Sequence, residues 1–310
     1  MAPYATETNE TKSKGDNVKE DIKTLDSTSR KLKIIYPYVI TFTYWHLAGL
    51  FGLYLSFTSA KWLTILFGFL VYMLAELGIT AGAHRLWSHK SYKAKLPLQI
   101  ILMIFNSIAF QNSAISWVRD HRFRGFFYSH IGWLMTKKSE EVIKKGKTID
   151  MSDIYSNPVL RFQKKYAVPI IGTLCFVLPT VIPMYFWDET FVNSWHVNIL
   201  RYLVNLHITF CVNSAAHKWG YKPYDKSLLP SQNVLVSIGA LGEGFHNFHH
   251  VFPWDYRTAE LGNTKFNITA SFIDFFSWVG WAYDLKTVSK DVVKSRAERT
   301  GDGTDLWGNK

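Results

Sequence analysis

The sequence GEGFHNFHH, residues 242–250, decides how this chain is interpreted. If the stretch is helical, His246, His249 and His250 fall at positions i, i+3 and i+4, which share one face of a helix. Neutral imidazoles clustered in this way suit iron, copper or zinc. The alternative is a polar helix that carries surface histidines.

Three further polar patches contain histidines. His84 and His89 bracket the segment HRLWSH. Because they are five residues apart, about 140° around an ideal helix, they must flank a distorted helix end or hold a metal between them. His121 lies in RDHR, and His217 follows NSAA. Together with residues 242–250, these patches contain seven of the eleven histidines, each at or just past the end of an apolar segment.

Long uncharged segments indicate a membrane protein. The chain has 310 residues, of which 48% are hydrophobic and 16% aromatic. No charged residue occurs at 34–60 or at 166–187, and a helix needs about 20 apolar residues to cross a bilayer. We predict four spans in two hairpins, at about residues 34–58, 62–83, 166–187 and 197–216.

The distribution of basic residues predicts the topology. Lys and Arg number 7 in residues 1–33, 15 in residues 84–165 and 11 in residues 217–310, whereas the connectors 57–61 and 188–199 contain one. An excess of basic residues marks cytoplasmic segments, so we expect both termini and the histidine patches to face the cytosol. The net charge of +11 follows this pattern and not one face or motif, which disfavours nucleic-acid binding.

Two parts of the chain are not expected to span. Residues 1–33 are polar and lack the apolar run of a signal peptide, so we expect a disordered cytosolic segment. Residues 97–118 are uncharged, but a crossing there would put His121 on the opposite membrane face from His84 and His89. We therefore predict an interfacial or re-entrant helix, and similar short membrane-associated segments at 233–242 and 266–282.

The cysteines do not indicate a disulfide framework. Cys175 and Cys211 are the two cysteines, and both lie in apolar segments. Neither cysteine lies in a sequence with the spacing of a thiolate metal site.

Three stretches resemble the histidine boxes of animal acyl-CoA desaturases. They are residues 78–89 (GITAGAHRLWSH), 213–217 (NSAAH) and 242–250. The likeness runs from about residue 30 to the C-terminus, and residues 299–305 (RTGDGTD) resemble the insect-type members.

The resemblance implies a fold. It implies an all-α integral membrane protein with four transmembrane helices in two hairpins and a cytosolic helical cap that carries a histidine-rich di-iron site. The desaturase domain would cover residues 34–286, with the cap in residues 84–165 and 217–286, followed by a polar tail at 287–310.

The resemblance also implies an activity. The protein would insert a cis double bond into a saturated fatty acyl-CoA in the endoplasmic reticulum membrane, as a step of unsaturated fatty acid biosynthesis. It would use O2, two iron ions as Fe2+, and electrons from cytochrome b5 and its NADH-dependent reductase. Because no His-Pro-Gly-Gly stretch occurs, we expect cytochrome b5 to be a separate partner. The protein would lie in the lipid bilayer, and a homo- or hetero-oligomer remains open.

Individual residues acquire expected roles from the resemblance. One iron would be bound by His84, His89, His121 and His249. The other would be bound by His217, His246 and His250, with Asn213 reaching it through a water. The acyl-CoA head group would contact Asn112, Arg119, Asp120, Lys137 and Lys138.

Physical chemistry supports the head-group assignment, because cations bind the phosphates of CoA. For Lys137 and Lys138 the alternative is a solvated basic face. For Arg119 and Asp120 it is a surface ion pair. Phe210 stands where the family has a tryptophan that contacts the substrate, and Tyr38 stands where it has an asparagine.

The chain departs from the family pattern at the second histidine box. Family members read H-x-x-H-H, followed by an acidic run and then R-G-F-F, whereas residues 121–127 read HRFRGFF. About fifteen residues are missing, and with them two iron ligands, one for each metal. His130 lies nine residues beyond His121, where the family keeps a histidine that is not a ligand. Histidines 46, 196 and 207 are interpreted as structural.

Two alternatives follow from this departure. The chain could be a catalytically impaired paralogue or truncated form that binds acyl-CoA or partners without turnover. It could also keep the di-iron chemistry but hydroxylate its substrate.

Overall fold

The computed structural model of the chain describes residues 33–120, 130–131, 134–137, 150–260 and 266–310. Helices form most of this part of the chain. In chain order they are α1 (Tyr36–Thr58), α2 (Trp62–Ser88), α3 (Leu96–Ile108), α4 (Ala114–Asp120), α5 (Ser152–Ser156), α6 (Pro158–Lys165), α7 (Ala167–Trp187), α8 (Phe191–Asn213), α9 (Val234–Gly239), α10 (His246–Val251), α11 (Ile268–Trp278) and α12 (Lys290–Thr300).

Three of the four predicted spans are helices long and apolar enough to cross a membrane. They are α1, α2 and α7. Large apolar side chains such as Phe57, Val168 and Tyr185 point outward from α1 and α7, as expected for lipid contact. The mostly helical architecture and these three helices agree with the predicted all-α membrane protein.

α8, the fourth predicted span, is more polar than the other three. It has 23 residues, the same length as α1, and it begins earlier than predicted because the Thr190 side chain caps its first turn by accepting from Asn193 N. α8 packs against α1, α2 and α7. Its polar side chains bond between helices: Asn205 Nδ2 donates to Glu76 Oε1 at 2.9 Å. A crossing by α8 therefore remains a prediction.

The turn between α1 and α2 is joined to the turn between α7 and α8. Glu189, between α7 and α8, accepts from the backbone N–H of Lys61 at 2.8 Å and from the Thr64 hydroxyl at 2.6 Å. Asn193 Nδ2 donates to the other carboxylate oxygen. One carboxylate thus fixes the α1–α2 hairpin against the α7–α8 hairpin.

The uncharged stretch 97–118 does not form one continuous helix. α3 ends at Ile108, and the backbone turns through left-handed conformations at Phe110 and Asn112 (φ 51° and 71°) before α4 begins at Ala114. This break agrees with the interfacial interpretation. Beyond it, α9 and α11 occupy the other two predicted short segments.

The C-terminal part of the chain ties together the segments that are predicted to form the cap. Strand β1 (Lys93–Ala94) pairs antiparallel with β2 (Ala282–Tyr283), in the register Lys93↔Tyr283. The predicted polar tail contains α12, which buries Val293 and pairs Arg296 with Asp225 at 2.5 Å. The tail is therefore packed onto the cap.

Close contact between α1 and α8 generates a test of the fold. A Cβ added at Gly52 would collide with the backbone carbonyl of His196. Because backbone cannot move away as a flexible side chain can, we expect Gly52→Ala to destabilise the protein by about 1–3 kcal/mol, measured as a lower thermal unfolding temperature in detergent. Gly172→Ala is the control, since its added Cβ meets nothing within 4 Å among the described residues. Equal unfolding temperatures for the two variants would contradict this packing.

Candidate metal centre

The end of α2 is wound as a π-helix, and this winding brings two histidines together. Over Gly78–Ser88, hydrogen bonds join residues five apart, including His89 N to His84 O at 3.0 Å. The rings of His84 and His89 consequently lie 4.7 Å apart between centroids. The distorted helix end predicted for this pair is confirmed.

His249 of α10 completes the first histidine cluster. The ligand nitrogens of His84, His89 and His249 all lie within 4.8 Å of one another. His84 Nε2 is 3.1 Å from His249 Nε2. His84 and His249 are buried, and burial together with the neighbouring imidazoles holds the pKa of His249 well below its usual value. A neutral imidazole has the free lone pair that a metal ligand needs.

The second cluster consists of His217, His246 and His250. Their ligand nitrogens also lie within 4.8 Å of one another, and His246 Nε2 is 2.8 Å from His217 Nε2 and 3.1 Å from His250 Nε2. His217 ends the 3-10 turn Ala215–His217, which follows α8. Burial lowers its pKa, so it too offers a neutral nitrogen.

α10 supplies both clusters, and the glycines before it explain how it fits. Gly242 has φ +118°, a left-handed conformation that glycine favours. A Cβ at Gly244 would collide with the backbone of Asn233 and Ser237. Asn247 then fixes the helix, because its Nδ2 donates to the carbonyls of Asp225 and Pro230, both at 2.9 Å.

Glu243 and Arg85 were missed as functional residues by the sequence analysis. Glu243 Oε2 lies 2.8 Å from His84 Nδ1, and Oε1 accepts from Arg85 Nε at 3.0 Å. Burial alone would raise the pKa of Glu243, but the charge of Arg85 and the hydrogen bonds with His84 and Arg85 outweigh it and bring this pKa down to about 2. The carboxylate facing His84 Nδ1 leaves Nε2 to face the cluster, the usual role of an outer carboxylate at a metal site. The sequence did offer a signal, because each is a charged residue inside a histidine motif: Arg85 in residues 84–89 and Glu243 in residues 242–250.

The residues therefore fit two metal ions, one in each cluster. In both, three imidazole nitrogens converge, and the outer carboxylate of the first orients one of them. Imidazole donors suit iron, copper and zinc alike.

Other predicted site residues are placed less directly. Asn213 is the last residue of α8, four residues before His217. Phe210 is buried on α8, whereas Asn112 and Lys137 are exposed. His130 belongs to neither cluster. His121 and Lys138, and the side chains of Arg119 and Asp120, lie outside the described part of the chain.

Comparison with known proteins shows consistent relatives, although no family model matches the chain. It is 64% identical over 294 residues to the acyl-CoA Delta(11) desaturase of Spodoptera littoralis, covering 90% of this chain and 87% of the relative. It is 59% identical to the acyl-CoA Delta(11) desaturase of Choristoneura rosaceana, covering 100% and 97%. It is 46% identical over 291 residues to stearoyl-CoA desaturase 5 of Homo sapiens, covering 89% and 88%.

The alignments also show that residues are missing here. The alignment with the Choristoneura rosaceana protein runs over 325 positions, whereas this chain has 310 residues, so at least 15 aligned positions lack a residue in this chain. A stretch of this size agrees with the predicted gap. Its location after His121 remains a prediction.

Glu243 generates a test of the metal centre. We expect Glu243→Gln to lower metal affinity by about 10–100-fold, because the neutral amide no longer holds His84 in its orientation. The measurement is the metal retained by purified, folded protein, determined by mass spectrometry. Glu260→Gln is the matched control, since Glu260 accepts from the Tyr224 hydroxyl and belongs to neither cluster. The same metal content in both variants would show that Glu243 does not orient a ligand.

Proposed function

Because this chain belongs to the insect-type acyl-CoA desaturases, we propose that it desaturates a fatty acyl-CoA at the two histidine clusters. It is accordingly an oxidoreductase of lipid metabolism. The observation that carries the proposal is that each cluster keeps three convergent imidazoles although the second histidine box is short. This arrangement does not favour the alternative of a protein without turnover.

We propose iron as the metal of both clusters. His84, His89 and His249 would hold one Fe2+, with His121 as a further ligand. His217, His246 and His250 would hold the other, with Asn213 reaching it through a water. When bound, the two ions would supply the activation of O2 that removal of hydrogen from an unactivated methylene requires.

In the proposed arrangement, an acyl chain would reach the clusters from the membrane. His84 and His89 are at the end of α2, and His217 follows the end of α8. Because these two helices pack together, the acyl chain would lie along them with the carbons to be oxidised at the clusters. Phe210 on α8 would form part of its wall.

The head group would lie outside the helix bundle. We propose that Asn112, Arg119, Asp120, Lys137 and Lys138 contact the CoA moiety. Lys137 is exposed, so its ammonium is available to a phosphate.

The cellular setting is proposed on the same basis. The family and the three apolar helices indicate a multi-pass membrane protein. We place it in the endoplasmic reticulum with both termini in the cytosol, where cytochrome b5 and its NADH-dependent reductase would supply electrons. His250 is exposed at the edge of the second cluster, and an exposed ligand shortens the path from an external donor.

Expression in a yeast strain that lacks its own desaturase tests the proposed function. We expect new monounsaturated fatty acids in cells expressing the chain, and their double-bond positions would give the regiospecificity. His249→Ala should abolish them, because it removes a ligand from the first cluster, whereas His196→Ala should not, because His196 bonds the backbone of its own helix. Hydroxylated products would indicate the hydroxylase alternative. No product, with protein present at the level of an active relative, would contradict the proposal.

A second prediction concerns the short second box. Inserting the corresponding segment of the Spodoptera littoralis relative after His121 should raise the iron retained by purified protein, because each ion would gain an imidazole. Iron content is compared by mass spectrometry with that of the unmodified chain. An insert of the same length in which the histidines are replaced by glutamine is the control. Equal iron content in all three proteins would show that the segment supplies no ligand.

A further inference from the structure

Three histidines outside both metal clusters form a hydrogen-bonded series, which we call the imidazole row. The Nε2 atoms of His46 on α1 and His207 on α8 are 3.0 Å apart. Nδ1 of His207 is 3.0 Å from Nε2 of His130. The outer nitrogen of His46, Nδ1, lies 2.6 Å from the carbonyl oxygen of Phe42. At the other end, Nδ1 of His130 lies 2.8 Å from Ser214 Oγ.

The acceptors at the two ends determine where the outer hydrogens lie. A carbonyl oxygen cannot donate, so Nδ1 of His46 must carry the hydrogen that faces Phe42. While Ser214 Oγ donates its single hydrogen to the carbonyl oxygen of Phe210 at 2.8 Å, it can only accept from Nδ1 of His130, which then carries a hydrogen. If neutral, His46 and His130 then have no hydrogen on Nε2.

With Ser214 in this orientation, the two inner contacts need two hydrogens, but a neutral row supplies one. Neutral His207 can donate to His46 or to His130, but not to both. The remaining contact would set two nitrogen lone pairs 3.0 Å apart. One additional proton, shared by the three rings, satisfies every contact.

A neutral row has one arrangement that satisfies all of its nitrogens. The Ser214 hydroxyl turns from Phe210 to Nδ1 of His130, and the N–H groups of all three rings then point toward Phe42. The two states of the row differ by one proton and by the rotation of one hydroxyl.

The described charged side chains on the neighbouring helices α2 and α8 are bonded to groups outside the row. α1 contains no Asp, Glu, Lys or Arg. On α8, Arg201 donates to the carbonyls of Ile108 and Cys175. Glu76 of α2 is bonded by Asn205.

Among the residues that the structure describes, the remaining titratable groups on α8 and next to His130 in the chain are uncharged at neutral pH or exposed. They are the Tyr202 phenol and Cys211 thiol on α8, and Lys137, which is exposed beyond His130. Burial lowers the pKa of His130. At neutral pH the additional proton is therefore held weakly and is given up readily.

We propose that the imidazole row is a proton store for the oxidation of the substrate, an inference that rests on the proposed function. Desaturation with O2 breaks two C–H bonds on adjacent carbons and forms two molecules of water. The substrate supplies two of the four hydrogens in those waters. Two electrons from the external donor and two protons supply the rest, and the row provides one of these protons.

The position of the row fits this role. Ser214 directly precedes the turn Ala215–His217, and the backbone N–H of His217 donates to the Ser214 carbonyl at 3.2 Å. The opposite end is closed by the Phe42 carbonyl, which cannot pass a proton on. A proton therefore enters and leaves at the end formed by His130 and Ser214, and Ser214 is three residues before His217 of the second cluster in the chain.

Nitrogen NMR of the full chain, labelled at histidine and held in lipid nanodiscs, tests the store without measuring activity. Between about pH 8 and about pH 5, where histidine changes charge, we expect the row to take up one proton that shifts the signals of all three rings together. In His207→Asn, the amide keeps hydrogen bonds but cannot be protonated, so the shared shift should disappear. His196→Asn, on the same helix, should lose only the signals of its own ring. Three rings that titrate independently in the wild-type chain would overturn the proposal.

Steady-state kinetics test whether the reaction uses the proton held by the imidazole row. We expect the kcat of His207→Asn to fall by roughly tenfold at about pH 6, where the row of the wild type holds its proton, and little at about pH 8, where that row is empty as well, with KM unchanged. His196→Asn should match the wild type throughout. A fall of the same size at every pH would mark a structural effect and overturn the role in the reaction.

A second variant distinguishes loss of the shared proton from misfolding of His207→Asn. His130→Asn removes the ring at the entry end, and the same loss of the shared signal and the same pH-dependent fall in kcat are expected. If the wild-type chain forms no monounsaturated product, the proposed function fails, while the NMR result still decides whether the three rings share a proton.

Discussion

The buried pair of Arg85 and Glu243 is the interaction on which the metal centre depends. Arg85 is fully buried, and its guanidinium also donates to the backbone carbonyls of Tyr256 and Arg257. Through this pair the end of α2 is joined to the turn before α10, 158 residues further along the chain. Removing one partner would leave an uncompensated buried charge, which costs about 3–5 kcal/mol. Because Glu243 also faces His84, the same residue that joins these two segments would orient a metal ligand.

A crossing by α8, as predicted, would impose a second constraint that explains the polar character of this helix. A polar group that faces lipid without a partner is costly, so polar side chains in a span must bond to neighbouring helices. Asn205 bonds Glu76 of α2, and Arg201 bonds carbonyls of α3 and α7. α8 therefore lies between the other long helices, and its polar residues hold them together. This arrangement also places His207 between His46 and His130, where apolar residues otherwise line the groove between α1 and α8.

Composition and spacing could predict much of this architecture. Uncharged runs located α1, α2 and α7, and the i, i+3, i+4 spacing in residues 242–250 predicted that α10 presents its histidines together. Spacing could not show that His249 joins a different cluster from His246 and His250, because that depends on where α2 and α8 end in space. The π-helical winding of Gly78–Ser88 was foreseen only as a distortion, since no single residue encodes it. Contacts between distant residues, such as Arg85 with Glu243 and His46 with His207, leave no periodic signal in the sequence.

The histidines outside the short second box are positioned by elements of the fold that lie elsewhere in the chain. His84 and His89 are positioned by α2, whose Gly78 allows the backbone of α3 to approach closely at Asn106. His217 is fixed by the end of α8, and the histidines of α10 are fixed by Asn247 and by the glycines before them. These contacts all lie within the described part of the chain and outside residues 121–149. A deletion after His121 would therefore remove ligands without removing the elements that position the rest. The expected consequence is weaker metal binding with additional open coordination positions, while the arrangement of the remaining imidazoles is preserved.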